Sequence, residues 1–111
     1  MQPTKPPEYY RQSAAVPVRR TEQGPEVCLI TTRRSGRWIV PKGIVEPGLT
    51  PSESAHKECL EEAGVTGEIL PPALGRYRYG KWGGTCTVEV FVLLVNEVRD
   101  DWPERDERER R

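Results

Sequence analysis

Three glutamates, Glu58, Glu61 and Glu62, lie within five positions near the middle of this 111-residue chain. On an α-helix the positions i, i+3 and i+4 share one face, so the three carboxylates project together. Like charges at this spacing repel one another, and the last turn of a helix disfavours anions. Clustered carboxylate oxygens are the ligands that Mg²⁺ and Mn²⁺ prefer. The trio therefore indicates a divalent-metal site, with an exposed acidic helix face as the simpler alternative.

The charges around the trio do little to relieve this repulsion. A merely solvated helix face usually interleaves lysines among its glutamates, and here Lys57 is the one lysine nearby. A local rule broken without structural gain is typical of a functional site. A bound divalent cation would convert the mutual repulsion into coordination energy.

The residues on either side of the trio carry clear helix signals. Thr50 can cap a helix, Pro51 suits its first position, and Glu53 completes a T-x-x-E capping box. Gly64 supplies a left-handed stop, so we predict a helix from about Pro51 to Ala63. Four of its residues form an apolar stripe that should pack on a sheet: Ala55, Cys59, Leu60 and Ala63.

Short apolar runs flank the helix. Before it, QSAAVPVRR and EVCLITTRR surround the turn TEQGP and predict a hairpin, and GRWIVPKG predicts a third strand that stops at Pro41. After it, VTGEILPPALGRYRYG and TCTVEVFVLLVNEV predict two more strand regions joined by KWGG. Strands, one helix and further strands predict an α+β fold with a mixed sheet and the helix on one face.

The ends of the chain differ from its centre. Residues 1–11, rich in proline and tyrosine, are interpreted as a flexible arm, and residues 12–98 as the folded domain. Residues 99–111 are almost all charged, which favours a solvated or frayed tail, with a truncated chain as the alternative interpretation. This tail offers no helix to cover the second face of the sheet.

Overall composition narrows the classes of function. Lys plus Arg and Asp plus Glu number 17 each, so no global field favours nucleic acid or a membrane surface. No apolar run approaches the roughly 20 residues of a membrane span. The three cysteines are widely spaced without a CxxC pair, which is typical of buried free thiols in a reducing compartment. We therefore expect a cytoplasmic protein that forms no stable nucleic-acid complex.

The segment GIVEPGLTPSESAHKECLEEAGV resembles the Nudix box, G-x5-E-x7-R-E-U-x-E-E-x-G-U with U aliphatic. Six residues fall on their places with the spacing intact: Gly43, Glu58, Glu61, Glu62, Gly64 and Val65. GRWIVPKG and the five-strand layout extend the resemblance over roughly residues 12–98. The resemblance implies an α/β/α sandwich of Nudix type, from which this chain would lack the C-terminal helix.

Two positions within the box depart from the pattern. Lys57 stands where the family has an arginine that holds the glutamates in position, and lysine keeps the charge but loses the bidentate fork. Leu49 replaces the first glutamate of the box, and leucine can neither ligate a metal nor accept a proton. Glu46, three residues earlier, belongs to a common variant of the loop. We expect Leu49 to weaken metal affinity without abolishing turnover.

The resemblance also implies a function and its residues. Family members hydrolyse a diphosphate bond, here in a nucleoside- or inositol-polyphosphate-type small molecule, with Mg²⁺ or Mn²⁺. The sequence is most similar to the branch that hydrolyses diphosphoinositol and diadenosine polyphosphates. By resemblance Glu58 and Glu62 would be the principal metal ligands, with Glu61 assisting and a backbone carbonyl at Lys42 or Gly43 completing the set. Glu58 would also orient or deprotonate the attacking water, with Lys57 supporting the glutamates.

Basic residues near the predicted site suit a phosphate-rich ligand, although each alone is more typical of a soluble surface. We interpret six of them as substrate-binding: Arg19, Arg33, Arg37, Lys42, Arg76 and Arg78. The protein is expected to be a monomer or homodimer. The alternative to an enzyme is a catalytically silent module that binds nucleotide or polyphosphate, which the loss of the glutamate at Leu49 motivates.

Overall fold

A computed structural model describes residues 5–111, in which a five-stranded mixed β-sheet carries an α-helix on one face and a separate pair of short strands lies beside it. The elements follow the predicted order: β1 (Arg11–Thr21), β2 (Gly24–Val27), β3 (Ile30–Thr31), β4 (Trp38–Ile39), β5 (Lys42–Ile44), α1 (Pro51–Glu58), β6 (Val65–Lys81) and β7 (Gly84–Val98). Within the described residues α1 is the one α-helix, so the mixed sheet with a single helix is confirmed.

The sheet is built around β1, which has neighbours on both edges. The strand order is β2-β1-β7-β6, and β5 also pairs with β1. The β1–β7 pair is parallel, whereas β1–β2, β1–β5 and β6–β7 are antiparallel. The hairpins predicted on either side of the helix are therefore present. Pro41 lies between β4 and β5, because proline has no N–H to donate to a strand partner. Strand pairing resumes at the next residue, Lys42.

The predicted helix signals all operate. The Glu53 N–H donates to Thr50 Oγ1 at 3.2 Å, and the Thr50 N–H donates to Glu53 Oε1 at 2.8 Å, which completes the capping box. After Glu58 the chain continues through a π-helical turn, Cys59–Ala63, in which the Gly64 N–H reaches back to the Cys59 carbonyl. Gly64 then ends the helix at φ 67°.

The helix packs on the sheet through small side chains. Ala55, Cys59 and Ala63 recur every four residues and are fully buried. The stripe is narrower than predicted, because Leu60 lies beside it and is half-buried. Facing these residues across the core are side chains from β1, β3, β6 and β7: Ala15, Ile30, Val65, Phe91 and Leu93. Small helical residues let the helix backbone approach the sheet, which brings Glu58 and Glu62 close to β5.

The charged tail does not extend into solvent, contrary to the expectation of a frayed end. Its last residues hydrogen-bond beside β3, where Leu29 and Arg111 exchange N–H···O bonds of 3.0 and 2.9 Å. The Trp102 ring packs directly over Gly64, and its indole N–H donates to the Glu62 carbonyl at 3.1 Å. Residues 99–111 therefore lie against the C-terminal end of the helix, without forming a helix of their own.

The predicted N-terminal arm is described only from residue 5, so its first four residues lie outside the described residues. Pro7–Tyr10 form a short 3₁₀ helix, and the Tyr10 hydroxyl donates to the Trp82 carbonyl at 2.7 Å. No helix of the described part is long and apolar enough to cross a membrane. All three cysteines are free; Cys59 and Cys86 are buried as predicted, whereas Cys28 is half-buried.

Candidate active site

A cleft of about 700 Å³ opens beside β5 and the C-terminal end of α1. Glu58 and Gly43 form part of its wall, together with Lys42 and Glu46. Aromatic and basic side chains from the 3₁₀ helix and the β6–β7 hairpin complete the lining: Tyr9, Tyr79, Lys81 and Trp82. The cleft therefore has carboxylates, cations and ring faces within one concavity.

Glu58 lies directly against the backbone of Gly43. A Cβ atom placed on Gly43 would come within 2.3 Å of the Glu58 carboxyl carbon and 2.4 Å of its Oε1. No real Cβ approaches a heavy atom so closely, so only glycine allows this carboxylate to reach the loop. The close contact with Glu58 therefore explains why this position requires glycine.

Glu62 is the buried member of the trio, with 6% of its surface exposed. Its Oε1 accepts a hydrogen bond of 3.1 Å from the Lys42 N–H, which ties the helix to β5. Its Oε2 lies 3.6 Å from Nη2 of Arg108, a residue of the tail. Glu62 is therefore fixed from two sides before any ligand arrives.

Glu58 and Glu62 form a coupled carboxyl pair. Burial, then repulsion by Glu62 and a hydrogen bond with it, raises the pKa of Glu58. Burial also raises the pKa of Glu62, while the Arg108 guanidinium opposes that shift. Because both pKa values are raised, the pair retains one shared proton more readily than it carries two negative charges. A divalent cation bound by such a pair would have to displace this proton.

The residues present fit a hard divalent cation. Glu58 and Glu62 offer carboxylate oxygens beside the backbone of Lys42 and Gly43, and oxygen ligands suit Mg²⁺ or Mn²⁺. Ser13 on β1 lies opposite Gly43 on β5 in the strand pairing. Its buried hydroxyl lacks a hydrogen-bond partner in the described part of the chain. Mg²⁺ commonly keeps several waters and needs only one or two protein carboxylates.

The structure does not gather all three glutamates into one cluster. Among residues 5–111 no three His, Cys, Asp or Glu side chains converge as a ready metal site. Glu61 instead forms an ion pair of 3.2 Å with Lys57. The geometry thus supports a two-carboxylate site, with Glu61 directed toward Lys57.

Lys57 connects the helix to the loop that departs from the Nudix pattern. Its Nζ lies 2.5 Å from Glu46 Oε1 in addition to its contact with Glu61. Glu46 thereby provides a carboxylate partner for Lys57, while Leu49, the residue in the family's glutamate position, is half-buried. The loop also contacts the helix directly, because the Glu46 N–H donates a hydrogen bond of 3.2 Å to Ser54 Oγ.

The six basic residues predicted to bind substrate are not brought together. Lys42 and Arg33 line the cleft, and Lys42 Nζ lies 4.5 Å from the centre of the Tyr79 ring. Arg33, however, is ion-paired with the tail through Glu104 at 2.7 Å. The other four do not line the cleft, because strand direction and loop geometry carry them elsewhere: Arg19, Arg37, Arg76 and Arg78. Arg19 pairs with Glu26 beside a separate cavity of about 550 Å³.

The sequence interpretation missed Tyr9 and Arg108, which the fold brings to the site. Tyr9 and Trp82 meet edge to face at 5.7 Å between ring centroids, and Lys81 Nζ lies 4.5 Å from the centre of the Trp82 ring. Arg108 comes from a run of alternating charges in which no spacing distinguishes it from its neighbours. Only the path of the chain in three dimensions identifies these residues.

Comparison with known proteins finds relatives of this chain both in sequence and in fold. The sequence model of the NUDIX domain matches residues 9–111. The bovine diphosphoinositol polyphosphate phosphohydrolase 3-beta is 39% identical over 100 residues, and mouse diphosphoinositol polyphosphate phosphohydrolase 3-alpha is 40% identical. Each alignment covers 89% of this chain and 60% of the relative, so the chain spans about three fifths of these proteins' length.

The fold has a similarly clear counterpart among solved structures. The crystal structure of a C. elegans Ap4A hydrolase superposes with a TM-score of 0.71 at 23% sequence identity, covering 91% of this chain and 78% of that one. The chain belongs to the Nudix family.

The carboxyl pair predicts how the metal-free protein responds to pH. The pKa of Glu58 rises from an ordinary 4.5 to about 8. Between these values the folded protein binds more protons than the unfolded chain, so the free energy of unfolding should fall as the pH rises. Thermal midpoints recorded in chelator from about pH 5 to about pH 9 test this expectation. Glu58→Gln should flatten the dependence, and an equally steep fall in that variant would contradict it.

Proposed function

We propose that this chain hydrolyses a diphosphate bond in a phosphate-rich small molecule, with Mg²⁺ or Mn²⁺ held by Glu58 and Glu62. The observation that carries the proposal is the Glu58 carboxyl at the cleft, which interacts with Glu62 and lies against a glycine where any side chain would displace it. Membership of the Nudix family supports this activity. The names of the bovine and mouse relatives favour a diphosphoinositol polyphosphate over other diphosphates.

Each residue of the site has a separate role in this proposal. A bound divalent cation would neutralise charge on the phosphates and make a water more nucleophilic. The Lys42 N–H holds one oxygen of Glu62, so that carboxylate keeps its orientation as ligands enter. Glu58, which lines the cleft, orients the attacking water or accepts its proton. Lys57 links Glu61 and Glu46 and so joins the helix to the loop.

Substrate phosphates would be bound by lysines rather than by the arginines expected from the sequence. Lys42 and Lys81 line the cleft, and both lie over aromatic rings, those of Tyr79 and Trp82. Arg33 also reaches the wall, but Glu104 and Glu107 offset its charge. Two lysines supply charge without the fixed planar fork of arginine, which suits a ligand with many phosphates in several orientations.

A hydrolysis assay with three compounds tests this function. A diphosphoinositol polyphosphate and a diadenosine polyphosphate carry phosphoanhydride bonds, whereas inositol hexakisphosphate carries phosphate esters alone and serves as the matched control. We expect cleavage of at least one anhydride at millimolar Mg²⁺ or Mn²⁺, none in chelator and none of the control, because anhydride cleavage needs the cation. Absence of turnover on both anhydrides at every metal concentration would contradict the enzymatic function.

The same assay separates the alternative, a silent polyphosphate-binding module. The observation in its favour is Leu49, which places an aliphatic side chain where the Nudix box has a glutamate. A silent module would bind the anhydrides in a calorimetric titration and release no product. An enzyme with weakened metal affinity would release product once the cation concentration is raised.

A further inference from the structure

The guanidinium of Arg108 lies at the junction of the tail and the carboxyl pair. Its Nη2 is 3.6 Å from Glu62 Oε2, its Nε donates to Glu104 Oε1 at 2.8 Å, and its Nη1 donates to the Thr31 carbonyl at 2.9 Å. Only 10% of the Arg108 side chain and 7% of the Glu62 side chain are exposed. All three edges of the guanidinium are therefore engaged, and the group is fixed in a largely dry environment.

Backbone contacts on both sides of Arg108 hold it there. The Glu104 N–H donates to the Glu61 carbonyl at 3.0 Å, which anchors the tail to the π-helical turn. The Glu109 N–H donates to Thr31 Oγ1 at 2.8 Å, and the Thr31 N–H donates to the Glu109 carbonyl at 3.1 Å. The tail thus delivers one side chain to the site from a segment clamped before and after it.

The length of the Arg108–Glu62 contact has a chemical meaning. A distance of 3.6 Å is an ion-pair distance beyond that of a good hydrogen bond, so the Oε2 lone pairs are not consumed by the arginine. Glu104, with its additional partner Arg33, offsets the positive charge of Arg108. The arginine can therefore restrain the Glu62 carboxylate without strongly repelling a cation bound to it.

We propose that Arg108 is a positioning residue for Glu62, through which the C-terminal tail sets the affinity of the site for a divalent cation. The inference rests on the proposed function of Glu62 as a metal ligand. Lys42 restrains Oε1 and Arg108 restrains Oε2, so that the carboxylate is presented in one orientation. Lys57 is directed to Glu46 and Glu61. Among residues 5–111, the buried cationic side chain beside Glu62 is therefore Arg108.

Direct titration of the protein with Mn²⁺, followed by the electron paramagnetic resonance of the free ion, tests the inference without any turnover. Arg108→Ala should weaken Mn²⁺ binding about 10-fold, since residues that orient a metal ligand contribute roughly 10- to 100-fold in affinity. Arg108→Lys should recover part of this loss, because it keeps the charge but not the fork. Arg105→Ala is the matched control, since Arg105 is an exposed tail residue whose ion-pair partner is Asp101.

A double-mutant cycle with Glu62→Gln separates positioning from a general effect on the fold. If Arg108 acts through Glu62, Arg108→Ala should change the affinity of the Glu62→Gln protein little. An equal loss in both backgrounds, or unchanged or tighter Mn²⁺ binding by Arg108→Ala alone, overturns the inference and leaves the proposed function standing. A wild-type protein that binds no Mn²⁺ overturns both.

Discussion

Replacing Glu58 with glutamine is expected to reduce hydrolysis by at least about 100-fold, because a positioned acid or base contributes roughly 10²- to 10⁴-fold. The substitution also removes one of the two carboxylates available to the cation. The fold should survive, since glutamine resembles the protonated form that the raised pKa of Glu58 favours in the metal-free protein. Steady-state kinetics and the metal-induced shift of the thermal midpoint measure the two effects separately.

Glu61→Gln is the matched comparison for this variant. Glu61 has the same chemistry and lies on the same stretch of helix, but its carboxylate is directed toward Lys57. We expect its loss to cost no more than about 10-fold, as for a group that supports a ligand. If the two variants lose activity equally, the two-carboxylate description of the site is wrong.

Gly43→Ala should have the second large effect, with little cost in stability. The new Cβ would overlap the Glu58 carboxylate at 2.3 Å, and the carboxylate is the free end of a flexible side chain that can turn away. The fold therefore tolerates the methyl group, but the metal-binding geometry does not. We expect a loss of at least about 10-fold in metal affinity and activity, as for a displaced ligand, with the midpoint in chelator nearly unchanged.

Gly75→Ala provides the control for this substitution. An added Cβ at Gly75 meets no atom within 4 Å, and the residue lies in β6, outside the cleft lining. Both variants change the conformational freedom of the unfolded chain in the same way, so the difference between them isolates the contact with Glu58. Equal activity of the two would show that Glu58 need not lie against the loop.

The features of the site that depend on neighbouring residues could be predicted from the sequence. The helix from Pro51, its capping box and its stop at Gly64 follow from short-range hydrogen bonds that a few residue types determine. The resemblance to the Nudix box implied that Glu58 and Glu62 lie near the Lys42–Gly43 loop, and in the structure Glu58 lies against Gly43 and Glu62 accepts a hydrogen bond from Lys42. Local rules sufficed because one helix and one loop carry these groups.

The sequence predictions that differ from the structure concern contacts between distant segments of the chain. Four of the six basic residues lie away from the cleft because the side a strand residue faces depends on pairing register, which their charge does not reveal. The tail has the composition of a solvated segment, yet Trp102 covers Gly64 and Arg108 reaches Glu62. Buried arginines that pair across the fold cannot be told from exposed ones by spacing alone.

The parallel pairing of β1 with β7 has a consequence for the order in which the protein assembles. These strands are hydrogen-bonded along eight residue pairs, from Arg11–Thr87 to Val18–Leu94, although most of the chain separates them. Contacts so distant in sequence are slow to form, because the intervening loop must close first. During synthesis, β1 can therefore pair with β7 only after nearly the whole domain has left the ribosome. Because β5 pairs with β1, the support beneath Gly43 is complete only after β7 has been made and has paired with β1.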